Sequence, residues 1–293
     1  MIKIKKRQNY IHIDSDPFTD VDDALAITLA RRICGDKVVG ITTVHGDVKL
    51  RARGVKELLG LLDWDVEVAA GFEKSIDGGK VWWKGDEASY VTYAGDVRED
   101  AIDLLKENLS EYSGKIDLVS IAPMTNIAKL IEQEGEEIIK NLNSIYFMGK
   151  VKESVDGIGQ RESKYIPNSL AHNVNVDVDA ANIVFDVCEK YNVPVYVVPT
   201  ELCKEHWFEQ TDWELIRDSG CEWSKLLYVN SQDWISRSQY ADQGVSYLYD
   251  PLVLFGAVFD GVFEFEQNKN VFVAKSFLFP DFSSYLIGRI VSN

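Results

Sequence analysis

An apolar run at Ile11-His12-Ile13 hands over to a helical pattern at Ala24-Leu25-Ala26 through five aspartates within ten residues: Asp14, Asp16, Asp20, Asp22 and Asp23. Carboxylates crowded at one strand end repel one another unless a cation or a set of hydroxyl groups sits among them. In an open α/β sheet, ligands bind beyond the carboxyl ends of the strands. The segment therefore reads as a site, and it commits the chain to a strand–turn–helix beginning.

The same handover recurs. Apolar, β-rich runs are predicted as strands over 10–14, 38–44, 66–70, 116–121, 144–148 and 193–198. Helical patterns follow over 22–32, 49–62, 98–109, 125–134 and 178–191. This alternation predicts an α/β fold: an open, mostly parallel twisted sheet with helices on both faces and the site at the strand carboxyl ends. Two segments, near 150–175 and 201–250, break the rhythm and read as rim insertions over that edge. No repeat or linker divides residues 1–293, so one domain is expected.

A net charge of −16 argues against nucleic acid as the partner and fits a small ligand or one bound through a metal. The four cysteines form no CxxC pair and read as reduced thiols. Residues 1–10 lack an apolar leader core, and no apolar run is long enough for a membrane. A cytoplasmic location is the expectation.

Asp14 ends its predicted strand, and Asp22 and Asp23 open the next helix with Thr19 or Asp20 as N-cap. Asp14 and Asp23 then converge from two elements, as hard divalent cations such as Ca²⁺ require. A favourable helix dipole would explain Asp20 and Asp22, but not Asp14. An EF-hand counted from Asp14 has Thr19 and Leu25 where Gly and Glu are needed. A haloacid-dehalogenase-type phosphatase needs Thr or Val where Phe18 stands, although its apolar strand before Asp-x-Asp is present. A metal-dependent phosphatase is therefore the alternative enzyme. Asp250 before Pro251 reads as an N-cap, and Thr125-Asn126 opens a helix after a strand.

Six motifs in order resemble the inosine–uridine-preferring nucleoside hydrolases. They are Asp14-Ser15-Asp16-Pro17 with Asp22-Asp23-Ala24; 41–47, ending His45-Gly46-Asp47; 122–128, containing Thr125-Asn126; Phe147-Met148-Gly149; 172–177, opening His172-Asn173, with Ala180-Ala181; and Tyr249-Asp250-Pro251-Leu252. The resemblance implies Ca²⁺-dependent hydrolysis of the N-glycosidic bond of ribonucleosides, giving free base and ribose in purine or pyrimidine salvage. It implies Ca²⁺ ligands at Asp14, Asp23, the Thr125 carbonyl and Asp250, with Asp14 as general base. Asp22, Asn173 and Asp250 would hold ribose hydroxyls, Met148 would lie beside the sugar, and Asp47 would face the same site. A homodimer or homotetramer is implied by family analogy alone.

This chain also departs from the pattern. Ala171 replaces a glutamate, Tyr249 replaces a histidine often assigned to the leaving group, and Tyr93-Ala94-Gly95 stands where His-Gly is expected. Tyr165, Asn168 and His172 are the substitutes available for the sugar's 5′ end. These departures point to an unusual or modified nucleoside such as queuosine, or to a nucleoside- or ribose-binding member without turnover. Among the tryptophans, Trp83 is the best candidate to stack a base, since Gly78, Gly79 and Gly85 surround it; core packing or a subunit contact is the alternative for each of Trp82, Trp83, Trp207, Trp223 and Trp234. His12 alternates with apolar residues and reads as a core histidine, whereas His45 and His172 adjoin motif residues.

Overall fold

The computed structural model describes residues 4–79, 88–149, 172–237 and 243–292. A short strand β1 (Lys5–Lys6) precedes β2 (Tyr10–Ser15), which leads through the acidic turn into α1 (Asp22–Ile33). Then come β3 (Val38–Thr43), α2 (Val48–Leu61) and β4 (Val68–Ala70), followed by α3 (Ala101–Glu111), β5 (Ile116–Ser120) and α4 (Thr125–Glu134). The chain continues with β6 (Leu142–Gly149), α5 (His172–Val176), α6 (Val178–Tyr191) and β7 (Val195–Pro199).

The main sheet runs β11-β12-β7-β6-β5-β2-β3-β4, where β11 is Phe263–Asn268 and β12 is Val271–Phe277. Every neighbouring pair is parallel except β11 with β12. From β2 the chain steps outward through β3 to β4, then returns to lay β5 on the other side of β2. The connections diverge at β2, and in open α/β sheets such a switch point is where ligands bind, beyond the strand carboxyl ends. Apolar cores cover the two faces, one packing Leu25, Ile27 and Leu254, the other Ile127, Val184 and Phe185. His12, 1 % exposed, is the expected core histidine, and burial pushes its imidazole down to about 3.

The alternation predicted from sequence is present, and the helices over 125–134 and 178–191 have the predicted ends. The last third differs. Segment 201–250 carries α7 (Thr200–Cys203), α8 (Gln210–Arg217) and α9 (Glu222–Arg237), with a small ladder of β8 (Trp207–Phe208) and β9 (Ser246–Tyr247). The inward stripe of α9 is Ser224, Leu226, Leu227, Asn230, Ser231 and Trp234, half apolar and half polar, which hid its period. Beyond it lie α10 (Tyr249–Val258), β10 (Phe259–Asp260), which pairs with β1, the two added sheet strands, and α11 (Phe282–Val291). Of the other rim insertion, residues 150–171 lie outside the described residues.

Where the acidic turn reverses, Phe18 is fully buried with φ +75°, in the left-handed region. Its ring occupies a notch in α2, because a Cβ on Gly54 would lie 2.4 Å from Phe18 Cε2. Helix propensity alone would make Gly54→Ala stabilising by about 1 kcal/mol, whereas overpacking costs about 1–3 kcal/mol. We expect the clash to prevail, so that Gly54→Ala lowers the urea midpoint; a raised midpoint would show that Phe18 does not depend on the notch.

Candidate functional site

Three elements deliver the acidic side chains. Asp14 projects from the end of β2, and Asp22 and Asp23 occupy the first turn of α1. Val21 is the N-cap of α1 and makes no side-chain cap; instead Asp20 Oδ1 accepts from the Val21 amide at 2.6 Å. Asp250 enters from the far end of the chain, in the first turn of α10. That helix starts at Tyr249 with Leu248 in the cap position, so Asp250 lies inside the helix instead of being its N-cap.

Carboxylate oxygens of Asp22, Asp23 and Asp250 lie within 4.8 Å of one another, all buried. Asp23 Oδ1 accepts from Ser15 Oγ at 2.6 Å and from the Asp16 amide at 3.1 Å. Asp14 is fully buried; its Oδ1 accepts from Thr42 Oγ1 at 2.6 Å and Asn126 Nδ2 at 2.8 Å, while its Oδ2 has no partner. Burial pushes Asp14 up to about 7 against the pull of these two bonds, and Asp23 up to about 6. Burial also raises Asp16, Asp22 and Asp250 well above the carboxylate range; after burial, Asp23 adds most for Asp16, Asp20 for Asp22, and Asp22 for Asp250.

One buried cation opposes this charge. Arg51, 0 % exposed, donates from Nε to the His45 carbonyl at 2.7 Å, from Nη1 to the carbonyls of Asp16 and Pro17, and from Nη2 to Thr19 Oγ1 at 3.2 Å. It thereby clamps the acidic turn. Its spacing with Val48, Ala52 and Val55 already puts it on the buried stripe of α2, a signal the sequence reading passed over.

A hard divalent cation fits this arrangement. The donors are all oxygens, three carboxylates already converge, and a fourth offers an unpartnered buried oxygen that no protein group satisfies. No histidine or cysteine joins the cluster found among the described residues, which disfavours softer metals.

Around it, Thr125 opens α4 and its Oγ1 donates to Asp177 Oδ2 at 2.6 Å. Asp177 also accepts from the amides of Ile76 and Ala180, at 2.9 and 3.0 Å, tying the 71–79 loop and α6 to the start of α4. Asn126 accepts from the Phe72 amide at 3.0 Å while donating to Asp14. Asn126 and Asp177 both fall within the six motifs, yet the sequence reading gave neither a role. Met148, 7 % exposed, ends β6, and its carbonyl accepts from Asn173 Nδ2 at 3.4 Å. His172 is exposed and meets the buried His45 edge to face at 5.9 Å, with His45 at φ +64°. Asp47 is exposed and caps α2, accepting from the Leu50 amide at 2.9 Å. Tyr249 is half-buried beside Asp250, its ring 5.7 Å from that of Tyr247. Trp83, Trp82, Tyr165, Asn168 and Ala171 lie outside the described residues. Trp234 is buried and Trp223 donates to the Ile290 carbonyl, both packing roles, while Trp207 is 41 % exposed.

Residues 11–277 match the family described as inosine-uridine preferring nucleoside hydrolase. A probable uridine nucleosidase 2 of Oryza sativa subsp. japonica is 27 % identical, over 91 % of this chain and 79 % of the relative. Among solved structures, a purine-preferring ribonucleoside hydrolase from Gardnerella vaginalis aligns with a TM-score of 0.78 at 21 % identity, covering 96 % of this chain and 98 % of that one. The type III effector XopQ, in complex with adenosine diphosphate ribose, aligns with a TM-score of 0.77 at 21 % identity, over 98 % and 94 %.

The raised carboxylates fix how the metal-free protein responds to pH. A folded-state pKa above the unfolded value means that the folded protein binds the extra protons, so stability is greatest at low pH and is lost as pH rises through the folded pKa. With Asp23 near 6 and Asp14 near 7, the chelator-treated protein should lose thermal stability between about pH 5 and 8. Added divalent cation should flatten that slope, and an unchanged melting temperature across the range would contradict the charge arrangement.

Proposed function

The chain belongs to the inosine-uridine preferring nucleoside hydrolase family, enzymes that hydrolyse the N-glycosidic bond of ribonucleosides, and we propose that it does so with Ca²⁺ held in the acidic crevice. The observation that carries this reading is the convergence of the buried Asp22, Asp23 and Asp250 carboxylates, with Asp14 Oδ2 buried and unpartnered at the end of β2. Asp14, Asp23, Asp250 and the Thr125 carbonyl would hold the ion. Once bound, Ca²⁺ would supply Lewis acidity toward water and hydroxyl oxygens.

The side chains divide the remaining work. Asp22, Asp250 and Asn173 receive the ribose hydroxyls, with Met148 against the sugar; holding both reactants at fixed geometry lowers the entropic barrier. The resemblance assigns the proton acceptor to Asp14, and we place it at Asp16. Asp14 is fully enclosed with Oδ1 doubly engaged, whereas Asp16 is 8 % exposed and lies within electrostatic reach of Asp14, Asp22, Asp23 and Asp250. The surrounding carboxylates favour the positive charge that develops on the sugar as the base departs. Tyr249 and His172 adjoin Asp250 and Asn173 as groups for the departing base, and Asp47 would face the same site from the start of α2. The whole chain would act as one nucleoside-hydrolase-like domain in the cytoplasm, as a homodimer or homotetramer, with rim segments near 150–175 and 201–250 selecting the base.

The test is a reducing-sugar assay over common and modified nucleosides and their 5′-monophosphates, with chelator and Ca²⁺ or Mg²⁺ added back. Uridine belongs in it because the rice relative is named for that activity. Sugar release that chelator abolishes and Ca²⁺ restores is expected. Asp250→Ala should abolish it with the protein folded, and Asp16→Asn should lower kcat by about 10²–10⁴-fold. Mg²⁺-dependent phosphate release would select a phosphatase instead, and tight nucleoside binding without sugar release would select a binding protein.

A further inference from the structure

Beneath Asp14, on the same face of the sheet, lies a buried polar chain that the reaction above does not use. Side chains two apart along a strand share a face, and the register pairs His12 with Gly40 and Asp14 with Thr42. Gly40 leaves the space over its strand open, and Asn108 of α3 reaches through it. A Cβ at Gly40 would lie 2.5 Å from Asn108 Nδ2 and 2.9 Å from His12 Nδ1.

The donors in this chain are fixed by elimination. Asn108 Nδ2 lies 3.2 Å from the Val39 carbonyl, which only accepts, so that atom is the amide nitrogen. Its second contact, 3.1 Å to His12 Nδ1, therefore makes Nδ1 an acceptor without a proton. The imidazole proton then sits on Nε2, 3.2 Å from Thr42 Oγ1. Thr42 accepts it and sends its own hydroxyl proton to Asp14 Oδ1 at 2.6 Å. His12, Thr42, Asp14 and Asn108 are all buried, so water does not compete for these bonds.

We propose that Asn108, His12 and Thr42 form a one-way hydrogen-bond chain that locks the rotation of Asp14, engaging Oδ1 and presenting Oδ2 to the cation site. His12 and Thr42 are thus positioning residues. They do so through a neutral imidazole, which adds no positive charge to compete with the bound cation. The inference rests on the Ca²⁺ reading above. Groups that orient a metal ligand are worth about 10–100-fold in metal affinity.

Calcium titration of the chelator-treated protein, with thermal unfolding as a folding control, tests it. Thr42→Val should weaken Ca²⁺ binding by about 10–100-fold, and Thr42→Ser, which keeps the hydroxyl, should stay within about threefold of wild type. A long-range ¹H–¹⁵N correlation spectrum of the wild-type protein should show His12, assigned by its loss in His12→Leu, as the neutral Nε2–H tautomer. Wild-type affinity in Thr42→Val, or an Nδ1–H tautomer, would overturn the chain. If Thr42→Val does not fold, the tautomer alone decides. Wild-type protein that binds no Ca²⁺, or Asp250→Asn that binds it undiminished, would instead overturn the metal reading, and the tautomer would still report on the chain.

Discussion

The structure turns on a charge imbalance. Five buried aspartates, Asp14, Asp16, Asp22, Asp23 and Asp250, face one buried guanidinium, Arg51. Each carboxylate taken out of water costs several kcal/mol unless an opposite charge or strong donors replace the solvent. Much of the local architecture supplies those donors. Ser15 and the Asp16 amide serve Asp23, Thr42 and Asn126 serve Asp14, and Arg51 gathers the carbonyls of the turn. What they leave unserved is Asp14 Oδ2 and the converging carboxylates of Asp22, Asp23 and Asp250, a set of oxygens that a hard divalent cation would fit.

Where the turn sits follows from topology. β2 is flanked by β3 and β5, so the connections part at its carboxyl end and leave backbone and side chains facing an open crevice. The same face explains how residue 250 meets residues 22 and 23: α10 packs against α1, and the first turns of the two helices bring their carboxylates together. Side chains hold the 71–79 loop to this centre, Phe72 by Asn126 and Ile76 by Asp177, and backbone bonds tie it to Thr43, His45 and Gly46, so the supports of the site extend well outside the acidic motif.

Much of this was legible in the chain itself. The handover from Ile13 through Asp14 to Asp23 pointed to the candidate site, because so many carboxylates at one strand end demand a cation or hydroxyl groups among them. Period and apolar content located the strands and helices from β2 through β7, the short α5 apart. What was not legible depends on partners distant in sequence. Arg51 is one more basic residue in a helix until its position on the buried stripe is counted. Asn108 and Gly40 acquire meaning only when the register sets Gly40 against His12. Asp250 reads as an N-cap because Pro251 follows it, yet the helix begins earlier. In α9 the polar Asn230 and Ser231 sit on the inward stripe, and β11 and β12 follow the last element that the alternation could reach. Substrate choice is of the same kind: similar scaffolds belong to a purine-preferring hydrolase and to an effector holding adenosine diphosphate ribose, so the fold by itself does not name the base.

The most direct test is anomalous diffraction from a crystal of this protein soaked in Ca²⁺. A single strong peak is expected in the crevice, coordinated by Asp23 and Asp250 with Asp14 Oδ2 turned toward it. A crevice without a peak, or an ion bound elsewhere with these carboxylates protonated and paired to one another, would contradict it.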